Sequence, residues 1–222
     1  MPEVIFAGPE GRLEGRYQKG RGDNPPIALI LHPHPLFGGT MNNRATYELY
    51  HLFARKGFSV LRFNFRGVGR SQGEYDQGQG ELADAATALD HLQSMNANAP
   101  FAWVGGFSFG SWISMQLLMR RPEIAGFISV SAAANLYDFS FLAPCPSSGI
   151  VVHGELDKIC PPEETRAMVE RTRTQKGRKI EFDVVEGADH FFQNHVDEMI
   201  AVSEAYLDRR LAYHEPEGPY IE

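Results

Sequence analysis

Cysteine is almost missing from this chain: only Cys145 and Cys160 occur in 222 residues. That scarcity argues against a disulfide framework, and the two positions do not form a metal-binding pattern. Both read as reduced packing residues. An excess of positive charge is missing too, since the formal net charge is −7, and no basic stripe with interleaved aromatics is present. Nothing draws the chain to phosphate backbones or anionic lipid, so neither nucleic acid nor a membrane is an expected partner. No apolar run reaches membrane-spanning length, and Met1-Pro2-Glu3-Val4 lacks the basic segment and apolar core of a secretion signal. A cytoplasmic location is the resulting expectation. Gly67, Gly69 and Gly73 form no G-x-G-x-x-G after the first parallel strand, which counts against a nicotinamide cofactor.

The remaining composition, 43% hydrophobic and 22% charged, is ordinary for a soluble globular protein. The length suits one domain with a full core, predicted over residues 1–212, followed by a C-terminal tail at 213–222. Val4-Ile5-Phe6 and the alternating Leu13 to Tyr17 predict an antiparallel opening pair. The rhythm then changes to strand and helix in turn. Continuous apolar runs at Ile27–Leu31, Ser59–Phe63, Phe101–Gly105, Gly126–Val130 and Gly149–Val152 have the character of parallel strands covered on both faces. Lys179–Val185 alternates, as suits a strand near an edge. Helices are expected between them: one capped by Asn42 or Asn43 and ended by Gly57, one with Leu82, Ala86, Leu89 and Leu92 on its buried face, and a nearly all-apolar one after Ser108. A fourth begins at Pro161-Pro162, and the last runs from about Val196 to Leu211. The whole predicts an α/β fold with a mostly parallel sheet of about eight strands and helices on both faces.

Gly106-Phe107-Ser108-Phe109-Gly110 stands directly behind one of these strands. A serine hemmed by small residues at a strand-to-helix turn reads as a nucleophile elbow. A tight turn that needs its glycines for backbone reasons alone would look the same in five residues, so the rest of the chain must discriminate. Reactive groups of such sheets lie on loops after the strands. After Val151-Val152 comes His153-Gly154-Glu155-Leu156-Asp157, and after the last strand Glu186-Gly187-Ala188-Asp189-His190. The order Ser108, Asp157, His190 is the serine, acid, histidine order of one of the three familiar triad arrangements.

With the loop Leu31 to Met41 (Leu-His-Pro-His-Pro-Leu-Phe-Gly-Gly-Thr-Met) and the segment Asn64 to Gly73, these motifs make the whole chain resemble the α/β-hydrolase superfamily. It is most similar to small bacterial hydrolases without a cap domain, related to dienelactone hydrolase. That enzyme uses a cysteine nucleophile where this elbow has serine, so its lactone chemistry is not carried over. The resemblance implies a Ser-His-Asp triad of Ser108, His190 and Asp157, an acyl-enzyme intermediate, and no cofactor or metal. It implies an oxyanion hole made of the Phe109 N–H and a second N–H from the loop after the third strand. Pro33 and Pro35 have no N–H, which leaves His34 or Leu36. Glu155 and Asp189 are neighbouring carboxylates, read as solvated or supporting groups. His32, His34 and His153 read as structural hydrogen-bonding residues, Arg66 and Arg70 as loop anchors, and His51, His91 and His214 as surface residues.

Between Ser131 and Ser148 there is no room for a cap domain. An open site suits small or short-acyl esters, with Leu36, Phe37, Tyr137, Phe139, Phe141 and Phe191 as candidate walls, and Phe37, Tyr137 and Phe191 taken as the substrate-binding residues. Thioesterase and peptidase chemistry are alternatives for the same triad, and a non-catalytic binding protein of this fold is the alternative from another class. The sequence leaves the oligomeric state open.

Overall fold

The computed structural model describes residues 2–142, 144–173 and 179–212, with backbone alone for Arg173. The tail expected at 213–222, His214 included, lies outside the described residues. The opening strands β1 (Glu3–Gly8) and β2 (Gly11–Gln18) form the expected antiparallel pair. Then follow β3 (Ile27–Leu31), α1 (Arg44–Arg55), β4 (Ser59–Phe63), α2 (Gln79–Ser94), β5 (Ala102–Phe107), α3 (Phe109–Leu118), β6 (Ile124–Val130), β7 (Ser148–Gly154), α4 (Pro162–Arg173), β8 (Ile180–Val185) and α5 (Val196–Ala212). The sheet has eight strands in the order β1-β2-β4-β3-β5-β6-β7-β8, and every pairing from β4 onward is parallel.

Strand alternation explains why the central strands are apolar throughout. Leu29, Leu31 and Val104 point into the core shared with α2, α3 and α4, while Ala28, Ile30 and Trp103 point into the core shared with α1 and α5. The alternating β8 lies at the edge, where Glu181 and Asp183 are not buried. Asn43 caps α1, its side chain accepting from the Ala45 N–H at 3.1 Å.

Two sequence expectations shift. The buried face of α2 carries Asp84, Ala85, Ala88, Leu89 and Leu92, whereas Leu82 and Ala86 are only half-buried. The helix is rotated because Asp84 turns inward to bind Arg66, with bonds of 3.0 Å to Nε and 2.9 Å to Nη2. Neither His51 nor His91 is a fully solvated residue: both are half-buried, His91 stacked on Phe6 at 4.5 Å and His51 packed against Tyr47.

After β3 the chain winds outward to β4, then crosses back to β5 on the other side of β3. The loops after β3 and β5 therefore diverge, leaving a crevice at the carboxyl ends of these strands. From β6 to β7 there is only a short connection with one turn of 3-10 helix, Ser140–Leu142. No helix among the described residues is long and apolar enough to cross a membrane.

Candidate active site

Ser108 occupies the single-residue link between β5 and α3, at φ +55°. A non-glycine residue is strained there, and the neighbours hold it in place. A Cβ on Gly106 would collide with the carbonyl of Gly110, and one on Gly110 would come within 2.5 Å of the Leu31 and His32 carbonyl oxygens. Only glycine permits a turn this tight beside β3. The Ser108 N–H donates to Val130 O at 2.9 Å, which ties the turn to β6.

Asp157 follows β7. Its Oδ1 accepts the N–H groups of Ile159 at 2.9 Å and Cys160 at 2.8 Å, which fixes the carboxylate. His190 follows β8, and its carbonyl accepts from Ser131 Oγ at 3.1 Å. These anchors place the His190 ring between its two partners: Nδ1 lies 2.7 Å from Asp157 Oδ2 and Nε2 lies 3.1 Å from Ser108 Oγ. The carboxylate acceptor requires the proton on Nδ1, so Nε2 presents its lone pair to the serine hydroxyl. Burial alone would raise the Asp157 carboxyl, yet hydrogen bonds from His153, His190 and Cys160 outweigh it and hold the group well below the usual carboxylate range.

The neighbouring carboxylates are engaged elsewhere. Glu155 accepts the Gly187 N–H at 2.9 Å and Asp189 accepts the Gln193 N–H at 3.0 Å. His32 is structural, with Nδ1 2.6 Å from Pro33 O and Nε2 accepting from the Phe65 N–H at 3.0 Å. Arg66 is anchored to Asp84, and Arg70 forms an exposed ion pair with Glu3.

The loop after β3 folds tightly above the serine. The His34 carbonyl accepts from the Phe37 and Gly39 N–H groups at 3.1 and 3.0 Å, and a Cβ on Gly39 would collide with Pro33. Arg62, buried against the rings of Tyr47 and Tyr50, donates to Met41 O and to Asn42 Oδ1. The two candidates for the second oxyanion donor separate here. The Leu36 N–H is taken by His34 Nδ1 at 3.1 Å, and the Leu36 side chain lies outside the crevice. The N–H groups of His34 and Phe109 donate to no described residue. Burial lowers the His34 imidazole from its ordinary value, and its ring packs on Phe37, Tyr75 and Phe109.

Ser108 and His190 open into a cavity of about 350 Å³ lined also by Pro33, His34, Phe37, Tyr137 and Phe191. Of the expected walls, Phe37, Tyr137 and Phe191 line it, Tyr137 held by a stack on Trp112 at 4.4 Å, whereas Leu36, Phe139 and Phe141 do not, because Phe139 and Phe141 pack in the core and Leu36 points away. Sequence reasoning missed Asn43, Leu136 and Ile159, which with Gly38 and Gly39 complete the lining. It also missed Ser131, whose position one residue beyond β6 was the available signal. The ligand atoms of Asp157, Cys160 and His190 lie within 4.8 Å of one another. The carboxylate and imidazole are already bonded together, and burial pushes the Cys160 thiol up to about 12, so it stays protonated and a poor metal ligand.

Comparison with known proteins shows the family and the fold. Residues 36–146 match the family model described as serine aminopeptidase, S33. A putative α/β hydrolase from Agrobacterium tumefaciens is 57% identical, with a TM-score of 0.94 over 97% of this chain and 100% of that one. An α/β serine hydrolase homologue from Coxiella burnetii is 33% identical, with a TM-score of 0.82 over 93% of this chain and 97% of that one. A serine hydrolase from Xanthomonas campestris, described as lacking a lid, is 26% identical, with a TM-score of 0.85 over 94% of each chain.

Proposed function

The chain belongs to the serine hydrolases of the α/β-hydrolase superfamily, and from that footing we propose that it is a carboxylic ester hydrolase for small or short-acyl esters. The observation that carries the proposal is the unbroken chain Ser108 Oγ, His190, Asp157 at the floor of an open cavity. His190 Nε2 takes the Ser108 proton as Oγ attacks the ester carbonyl, and Asp157 stabilises the imidazolium. The developing oxyanion is met by the N–H groups of His34 and Phe109, the latter at the positive end of α3. His190 returns the proton to the departing alcohol, leaving an acyl-enzyme on Ser108. Water activated by His190 then hydrolyses it and regenerates the serine.

The cavity is at the small end of ligand sites, and Phe37, Tyr137 and Phe191 offer apolar walls to a short acyl group. Thioester hydrolysis needs the same machinery and is the second activity this reading admits. Peptidase action at a free N-terminus is disfavoured, because the described lining has no carboxylate to hold an ammonium group. The relation to dienelactone hydrolase is proposed from the loop Leu31 to Met41 together with the segment Asn64 to Gly73, the elbow, the acid loop and Gly187-Ala188-Asp189-His190. The scarcity of cysteine suits the cytoplasmic location we also propose.

The test is turnover of p-nitrophenyl acetate, butyrate and palmitate by the wild type and Ser108→Ala. Hydrolysis of the two short esters by the wild type alone is expected. Equal turnover by the variant contradicts the proposal, and a preference for palmitate contradicts its short-acyl part.

A further inference from the structure

A second histidine touches the acid of the triad, and none of the steps above uses it. His153 is the penultimate residue of β7 and is fully buried. Its Nε2 lies 2.7 Å from the Cys160 carbonyl oxygen and 3.2 Å from Asp157 Oδ2. Both neighbours are acceptors, so Nε2 carries the proton, which bonds the Cys160 carbonyl and lies beside Asp157 Oδ2. The other ring nitrogen, Nδ1, is buried without a partner among the described residues, so the ring is held by its Nε2 edge. Asp157 therefore receives N–H groups from Ile159 and Cys160 on Oδ1 and from His190 on Oδ2, with His153 Nε2 also 3.2 Å from Oδ2.

We propose that His153 is a positioning residue of the active site, whose Nε2–H shares Asp157 Oδ2 with His190 and so sets how strongly the acid holds the catalytic imidazole. This rests on the triad reading above. A carboxylate oxygen that accepts two N–H groups divides its charge between them, which tempers its pull on each. Removing one donor concentrates the pull on the other. Without His153, Asp157 favours the protonated form of His190 more strongly, and that form cannot accept the Ser108 proton. The carboxylate also loses its tether to the end of β7, leaving Oδ2 held by His190 alone.

Other titratable groups face this cluster from each side. The loop after β7 contributes the Cys160 thiol, the loop after β8 contributes His190, and the loop after β6 brings the Ser131 hydroxyl to the His190 carbonyl. Phe182 of β8 packs against His153 at 6.3 Å and carries the Arg166 guanidinium of α4 at 4.9 Å from its ring. These groups are common to the wild type and the variants below.

The experiment is the pH profile of kcat/KM for p-nitrophenyl butyrate with the wild type, His153→Phe, His153→Gln and Ser108→Ala. The acidic limb of His153→Phe is expected to move upward by about half to one pH unit, with kcat down about tenfold. His153→Gln, which keeps an N–H donor near the Nε2 position, restores the limb to that of the wild type. A limb in His153→Phe that coincides with the wild type, whatever the loss of rate, overturns the inference and leaves His153 a structural tie to Cys160. Undiminished turnover by Ser108→Ala instead overturns the triad reading, and this inference with it. Should His153→Phe fail to fold, NMR of the wild-type imidazoles decides: a protonated His153 Nε2 with a through-hydrogen-bond coupling to the Asp157 carboxylate carbon supports the inference, and an unprotonated Nε2, or one coupled only to the Cys160 carbonyl carbon, overturns it.

Discussion

The Cβ that Gly106 lacks would collide with the carbonyl of Gly110 across the turn that carries Ser108. Strand and helix meet there with no space for a methyl group, and this contact keeps the serine at a strained φ. Gly106→Ala is expected to destabilise the protein by about 2–3 kcal/mol through overpacking against backbone that cannot yield. Gly22→Ala, where the new Cβ would meet open space at φ +81°, should cost only the left-handed penalty of about 1 kcal/mol. Urea denaturation of both variants measures the difference.

Three carboxylates lie near His190, and only Asp157 touches it. Asp157→Asn keeps the shape of the site but presents an N–H or a neutral oxygen to Nδ1. A fall in kcat of about 10³–10⁴ is expected. Glu155→Gln and Asp189→Asn should stay within a few-fold of the wild type, because each bonds a backbone N–H elsewhere. Steady-state kinetics on a short ester gives the comparison, and equal losses at Asp157 and Asp189 would reassign the acid.

Buried histidine makes the fold sensitive to mild acid. Burial is the largest effect on His32 and lowers it from 6.5 to about 3, against the opposing bond to the Pro33 carbonyl. Because the folded value lies below the unfolded one, the unfolded chain binds a proton that the folded chain refuses throughout that window. Stability is therefore full above the unfolded value and falls as pH drops from 6.5 toward 3, at up to about 1.4 kcal/mol per pH unit. His34, His51 and His91 are lowered by burial and add in the same direction. Asp157 is also lowered, but its contribution is lost only below the ordinary carboxylate value of about 4. The urea midpoint should decline between pH 6.5 and 4.5, with a shallower decline in His32→Gln.

The backbone plan was legible because it is written in local pattern. Continuous apolar runs marked the central strands, alternation marked the edge strand β8, and Ser108, Asp157 and His190 stood after the right strands in the right order. Features that depend on two distant segments were not legible. The rotation of α2 follows from Asp84 meeting Arg66, and an acidic residue in an amphipathic helix gives no sign of an inward partner. Leu136 and Ile159 reach the cavity only because the loops after β6 and β7 converge on it. The bond that occupies the Leu36 N–H, to His34 Nδ1, is one that no periodicity encodes.

Covalent trapping tests the central claim most directly. Diethyl p-nitrophenyl phosphate reacts with an activated serine and leaves a stable diethylphosphoryl group, which intact-mass and peptide measurements locate. The account predicts one adduct, on Ser108, formed at a rate that falls in Asp157→Asn and is absent in Ser108→Ala. An adduct on another residue, or equal labelling of Ser108→Ala, would contradict it.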